Sequence, residues 1–377
     1  MTRIIKPARF FISISLIILI LTFGGYKLYQ VGKNLLGYRN SSFEKISTIT
    51  LKNDNGEKKQ QIVIPFKGDI VVYYNNSLKA YTIKGEEKWS LGQMIEKPIL
   101  KSSENLLFLV DKNTGFINAI DDQGTILWTV DAQPIEAFVC NEKGNAVLVR
   151  EEETGGGEIT VLDTKGQSIG KIGIMKGTIM DTVITEDGEM IAVSLLSTEN
   201  NNMETNIVLY SKEGKLLGGN KYDDEIMANM FFSDDNRLIS VGTDRIVCFD
   251  KGKGLLWSKE LPNSINKLAW NGENIITLNL VNSRKSIIDT KSQNYISMLD
   301  IEGEKLFEVP MKENIQGMTA SKDNVIAFGS RTMYYLKSHG QKSIEKKITN
   351  DIKGVYFISD NQLIVVTEGK LEIMQLN

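Results

Sequence analysis

Histidine is almost missing from this chain. Of 377 residues only His339 carries an imidazole, in the turn-like run Ser338-His339-Gly340-Gln341. A Ser-His-Asp site or a histidine-rich metal site has nothing to be built from, and a solvated turn residue is the expected role. Cysteine is as scarce. Cys140 and Cys248 stand far apart, each inside an apolar run (AFVC and IVCF), and no two cysteines adjoin. They are expected to be buried free thiols. Six prolines leave no Pro-rich linker, and a basic face is lacking too, with a formal net charge of −3. The first thirty residues hold Arg3, Lys6, Arg9 and Lys27 and no acid, so beyond them 44 basic residues fall to 40 against 47 acidic ones. An acidic body gives no footprint for nucleic acid. The acidic pairs Asp121-Asp122 and Asp234-Asp235 fall in tight turns and lack the roughly six to eight oxygen ligands of a calcium loop. Gly155-Gly156-Gly157 has no lysine behind it and is no phosphate loop.

Long apolar runs are missing as well, with one exception. From Phe10 to Tyr26 no residue is charged. A helix of about 17 residues is roughly 26 Å long, near the short end of a membrane span. Tyr26 and Tyr29 extend it to the interface, and LTFGGYKLY offers no small-x-small cleavage site. The expected layout is a basic tail (1–9), a transmembrane anchor (10–29), a linker (30–42) and a body (43–377). Arg3, Lys6 and Arg9 before the span nearly balance Lys27, Lys33 and Arg39 after it. A short tail followed by a large body then favours the body on the extracytoplasmic side of the cell membrane.

What the body does contain is a repeat of about 42 residues. Each unit opens on a short apolar strand: IVIPF (62–66), KPILKS (97–102), IEAFVC (135–140), IMDTVIT (179–185), IMANMFF (226–232), INKLAW (265–270), IQGMTA (315–320) and IKGVYFI (352–358). A turn rich in Asn, Asp, Gly and Ser follows, then a strongly apolar strand such as NLLFLV or QLIVV. A third strand ends on a glycine turn, and a fourth closes the unit. Short strands at this spacing, without a helical period, indicate an all-β fold. Four strands per unit at this period indicate a β-propeller of eight blades, seven being the alternative if two weak units merge. The last unit lacks a fourth strand, and the stretch 43–52 lies ahead of the first unit without a sheet of its own. That stretch is expected to close the last blade.

Four residues after the turn glycine sits a large aromatic: Trp89 after Gly85, Trp128 after Gly124 and Phe307 after Gly303. Trp257 follows Gly252 at one residue more. These four are expected to dock blade on blade. Gly170 and Gly218 occupy the same place in units three and four, where looser seams are expected. The runs around Gly85-Trp89 and Gly124-Trp128 resemble the docking motif of the quinoprotein-like propeller superfamily, whose longer form has one more residue before the glycine. One N-terminal span and one propeller in a Lys-, Ile- and Asn-rich chain look like an uncharacterised family of membrane-anchored propellers of low-GC Gram-positive bacteria. The superfamily's quinone-dependent dehydrogenases would need a calcium-holding Glu/Asn pair, a catalytic Asp and often adjacent cysteines. No motif here carries that set, so no cofactor, metal or catalytic residue is expected.

The remaining pointer is loop length. Connections between second and third strands, and between blades, emerge on one propeller face. That face holds each long insertion: 151–157, 197–204, 218–225 and 281–292. Per-unit insertions gathered on one face mark a binding face. The candidate partner-binding residues are Glu151, Glu152, Glu153, Asn200, Asn201, Asp223, Asp224, Asn282, Arg284 and Lys285. The expected function is a non-enzymatic scaffold that docks a protein partner at the cell envelope. The alternative is a ligand-, glycan- or cofactor-handling propeller that uses its central channel, with Asp181, Asn229, Asn266 and Gln316 as channel candidates.

Overall fold

The computed structural model describes residues 42–51, 61–153, 155–199, 202–250, 254–282, 294–338 and 344–377. The expected anchor lies outside the described residues. Among those described, no helix is long and apolar enough to cross a membrane.

Eight antiparallel four-stranded sheets follow one another along the chain. Blades 1 to 7 span 62–92, 98–131, 137–174, 178–223, 227–260, 264–310 and 317–347. Blade 8 takes three strands from 352–376, and its outer strand is Phe43–Thr50 from the other end of the chain. Phe43 pairs with Leu376 and Thr50 with Lys370. Ser42 and Asn377 exchange backbone hydrogen bonds of 3.1 and 2.9 Å. The first strands of neighbouring blades meet around the axis from blade 1 to blade 5 and from blade 6 to blade 8, and those of blades 8 and 1 meet as well; blades 5 and 6 are joined through their shared apolar seam. The architecture is an eight-bladed β-propeller with a closed ring.

The core is divided among the eight seams between blades. In blade 2 the second strand, Leu107–Asp111, is buried throughout. Side chains alternate along a strand, so Leu107 and Leu109 enter the seam with blade 1 and Phe108 and Val110 the seam with blade 3. The other second strands repeat this arrangement. A strand buried on both faces must be apolar at successive positions, which is why these runs showed no alternation. Cys248 is buried in the seam of blades 5 and 6, Cys140 is half-buried, and both are free. Burial pushes each thiol up to about 12, so neither is a ready nucleophile.

The three docking tryptophans follow one rule. Trp89 lies on Gly124 of the next blade and donates its indole N–H to the Asp122 carbonyl at 2.9 Å. Trp128 does the same to Gly166 and the Thr164 carbonyl at 3.0 Å, and Trp257 to Gly303 and the Ile301 carbonyl at 3.2 Å. A Cβ on Gly124 would sit 2.7 Å from the Trp89 ring, in a residue whose φ is +82°. Both the space and the backbone require glycine. Phe307 is half-buried in the seam of blades 6 and 7. The closing blade uses the same contact with a smaller group: Ser47 Oγ donates to the Ile83 carbonyl at 2.7 Å, two residues before Gly85.

The looser seam expected at Gly170 is not found. There the backbone of the next blade's turn moves in. A Cβ on Gly170 would stand 1.8 Å from the Lys212 carbonyl oxygen, and one on Gly214 would stand 2.4 Å from that of Lys171. Removing the side chain lets two backbones touch, so this seam is closed without an aromatic. The turn facing Gly218 includes residues 251–253, outside the described residues.

Candidate functional site

Three surfaces can carry function: the long-connection face, the rim and the mouths of the central channel.

On the long-connection face, two of the four expected insertions are not loops. Blade 4 has strands of ten residues, Met190–Glu199 and Asn202–Ser211, and an outer strand Leu216–Asp223. Ser197 pairs with Glu204, and Glu204 with Asp223. The stretches 197–204 and 218–225 therefore merge into one three-stranded extension, because continued alternation lets the ladder run past the other blades. Lys221 bridges Glu204 at 2.5 Å and Asp223 at 3.1 Å, so Asp223 is engaged. Asp224 follows with φ of 58°, a turn residue. Glu151 ends its strand and accepts the Ile179 N–H at 2.6 Å, fastening blade 3 to blade 4. Glu152 closes the turn to Gly155 and Gly156, and Glu153 is exposed. Asn282 is half-buried just beyond the second strand of blade 6. Asn200, Asn201, Arg284 and Lys285 lie outside the described residues, as does His339.

The rim carries a feature not anticipated from the sequence. In seven blades the outer strand contains a β-bulge at one place. In blade 2, Ala119 pairs with Trp128 and Ile120 with Ile126, leaving Leu127 unpaired. The same reading leaves Lys88, Ile169, Leu217, Leu256, Leu306 and Ile46 unpaired in blades 1, 3, 4, 5, 6 and 8. A bulge re-aims its side chain, and here the aim is outward. Leu127, Ile169, Leu217, Leu256 and Leu306 are exposed, and Ile126, Leu216 and Leu255 just before the bulge are exposed with them, between 37% and 62%. Five consecutive blades thus share an apolar arc on open strand edges. In blade 1 the same position is Lys88, paired with Asp69 at 2.5 Å. The signal was in the sequence: the residue before each docking aromatic or glycine is Leu or Ile from blade 2 to blade 6.

At the channel, the inner strands of blades 4, 5, 6 and 8 also bulge near the long-connection end. The four channel candidates separate there. Asp181 accepts the Met230 N–H of blade 5 at 2.6 Å and the Thr182 N–H at 2.8 Å. Burial pushes its carboxyl up to about 6, against those two hydrogen bonds and the nearby Lys101. It links two blades. Asn229 is exposed on the neighbouring strand. Asn266 and Gln316 line one cavity of about 600 Å³ between blades 6 and 7. The Asn266 amide donates to Asn279 Oδ1 at 2.9 Å and to the Ile315 carbonyl at 3.4 Å. Asn279 donates in turn to Asn294 Oδ1 and to the Tyr295 carbonyl.

The opposite mouth is acidic. The turns after the inner strands of blades 2 to 5 bring Glu104, Glu142, Glu186 and Asp234 together. Burial raises the Glu142 carboxyl, and the three other carboxylates raise it further. Among the described residues no group of three or more His, Cys, Asp or Glu side chains could hold a metal ion. Asp121 spends Oδ1 on the Gln123 and Thr125 N–H groups of its own turn.

The fold defines the class: an eight-bladed β-propeller. The chain belongs to a family of unknown function, DUF5711, whose sequence model matches residues 39–376. No curated protein matches the sequence. Among solved structures it is similar to BamB from Moraxella catarrhalis, at 11% identity and a TM-score of 0.56, covering 89% of this chain and 100% of that one. It is similar to Sqt1 from Saccharomyces cerevisiae, at 8% identity and 0.60, covering 88% and 99%. The C-terminal WD40 domain of Sif2 matches at 11% and 0.63, covering 89% and 97%. At these identities the likeness speaks for the fold alone.

Proposed function

We propose that the protein is a non-enzymatic docking propeller, tethered to the cell membrane by its N-terminal segment with the propeller on the extracytoplasmic side, and that it holds an envelope protein against the rim of blades 2 to 6. The apolar arc at the outer-strand bulges carries this reading. Blade 1 places a lysine in the same bulge, so the fold does not need an apolar residue there. Exposed apolar side chains repeated at one place on consecutive blades mark an interaction surface. Covering a half-exposed leucine contributes roughly 1 kcal/mol, and eight such side chains offset the several kcal/mol that association costs. The bulges also define the partner's form. They interrupt the regular edge an added strand would need, so the contact is between side chains. An amphipathic helix lying along the rim, with apolar residues at i, i+3, i+4 and i+7, fits that demand.

The tether rests on the uncharged stretch Phe10 to Tyr26 and the basic residues before it. The described chain begins at Ser42, beside Asn377 in blade 8, on the far side of the ring from blade 4. The glycine-and-tryptophan docking supports the quinoprotein-like resemblance at the level of the seam. A second reading, contact through the long-connection face, is favoured by the blade 4 extension and would use Asp224, Glu153 and Asn282.

A photoreactive residue placed in living cells at Leu217, at Asn282 and at Lys88 separates these readings. The rim reading expects one protein adduct from Leu217, joined through an apolar helical segment, and none from Lys88. An adduct from Asn282 alone moves the partner to the other face. Equal capture at all three positions removes the docking reading.

A further inference from the structure

We infer that the long-connection mouth of the channel, between blades 6, 7 and 8, is a binding site for an anionic, hydroxyl-bearing ligand, held by Lys267 and Lys353 through its phosphate or carboxylate groups.

The site is made of two adjoining cavities that share Gln316. One, of about 600 Å³, is lined by Ser264, Asn266, Lys267, Asn314 and Gln316 among others. The second, of about 220 Å³, is lined by Gln316, Phe328, Ser330, Asp351, Ile352 and Lys353. Together they fall in the size range of small-molecule sites. The inner-strand bulges create the cationic lining. Asn266 is the unpaired residue of the blade 6 bulge and Lys267 follows it, while Lys353 is itself the unpaired residue in blade 8. Both lysines are exposed, and among the described residues neither makes an ion pair or a side-chain hydrogen bond. Both therefore keep their ammonium groups available to a ligand in the cavities, whereas Lys79, Lys171, Lys212 and Lys322 are paired with acids.

The acids near the site are occupied. Asp351 pairs with Arg331 at 2.7 Å; Arg331 and, more weakly, Lys353 hold its carboxyl below the usual range. Glu313 accepts the Tyr334 hydroxyl at 2.7 Å. Lys267, Lys353 and Arg331 against Asp351 and Glu313 leave one excess positive charge. The remaining polar groups suit hydroxyls. Asn266 spends its amide N–H groups on Asn279 and Ile315, and Gln316 donates to Ser330 Oγ at 2.9 Å. Each keeps its side-chain oxygen as an acceptor. The acidic cluster around Glu142 lies on the turns at the opposite ends of the inner strands, away from the two lysines.

The test uses the full chain, titrated calorimetrically with polyphosphate, with poly-glutamate and with neutral dextran at low salt. Binding of at least one polyanion, weakened tenfold or more by Lys267→Gln with Lys353→Gln and unchanged by Lys101→Gln elsewhere in the channel, is the expected result. Preference between the two polymers tells a phosphate from a carboxylate ligand. Raising the salt to about 0.3 M should weaken it further, because exposed charges are screened. No binding of either polymer, or equal weakening by the Lys101 variant, overturns the site. The rim is left intact in these variants, so their outcome is independent of partner docking there.

Discussion

Two neighbouring positions in each outer strand have opposite fates. Trp128 is turned into the next seam, where its ring covers Gly166 and its N–H meets the Thr164 carbonyl. Leu127, one residue earlier, is left out of the ladder by a bulge and points to solvent. Leu256 and Trp257, and Leu306 and Phe307, repeat the pair. The seam position is dictated by folding: at two places without an aromatic something else fills the contact, a hydroxyl at Ser47 and the backbone itself at Gly170. The bulge position is not so dictated, since Lys88 occupies it in blade 1. Residues that the fold does not choose and that are nonetheless alike in five consecutive blades, and again at Ile46 in blade 8, are where function is to be sought.

That contrast can be broken first at the seams. Gly170→Val drives a side chain into the Lys212 backbone, which cannot yield as a flexible side chain would. The expected loss is about 3 kcal/mol, read as a lower urea midpoint with the rim unaltered. Trp128→Ala removes a ring that is only partly covered, so the loss should be smaller, about 2 kcal/mol. An unchanged midpoint for either variant would mean that the seams do not carry the ring.

Asp181 sharpens the comparison at the inner end of a seam. Its carboxyl titrates at about 6 in the fold against an ordinary value of 3.8. The folded state therefore holds the proton more tightly than the unfolded chain. The contribution is fully present below about pH 4 and is lost as pH rises through 6, on the order of 2 kcal/mol. In Asp181→Asn that segment of the stability–pH curve should flatten. A curve that keeps its slope places the titrating group elsewhere.

The fold was largely legible because each level repeats. Eight inner-strand segments, the turn glycines and the doubly apolar second strands recur at one period, and period is what sequence reading detects best. The reading failed where hydrogen-bond register decides. Polar residues 197–204 and 218–225 look like loops, yet they extend a ladder in blade 4, because alternation continues under a polar surface. The bulges went unseen for the same reason: one unpaired residue leaves composition and spacing unchanged. Of the channel candidates, Asn266 and Gln316 were joined in one cavity and Asp181 was committed to Met230. Only the three-dimensional partner could separate them.

The central claim is that the rim of blades 2 to 6 is free for binding and not needed for folding. The most direct measurement is the triple variant Leu127→Lys, Leu217→Lys and Leu256→Lys, followed by urea unfolding and by in-cell crosslinking from a photoreactive residue at Leu306. The expected result is a midpoint shifted by less than about 1 kcal/mol in stability together with a loss of the partner adduct by tenfold or more. Loss of cooperative unfolding, or an adduct of undiminished yield, would contradict the claim.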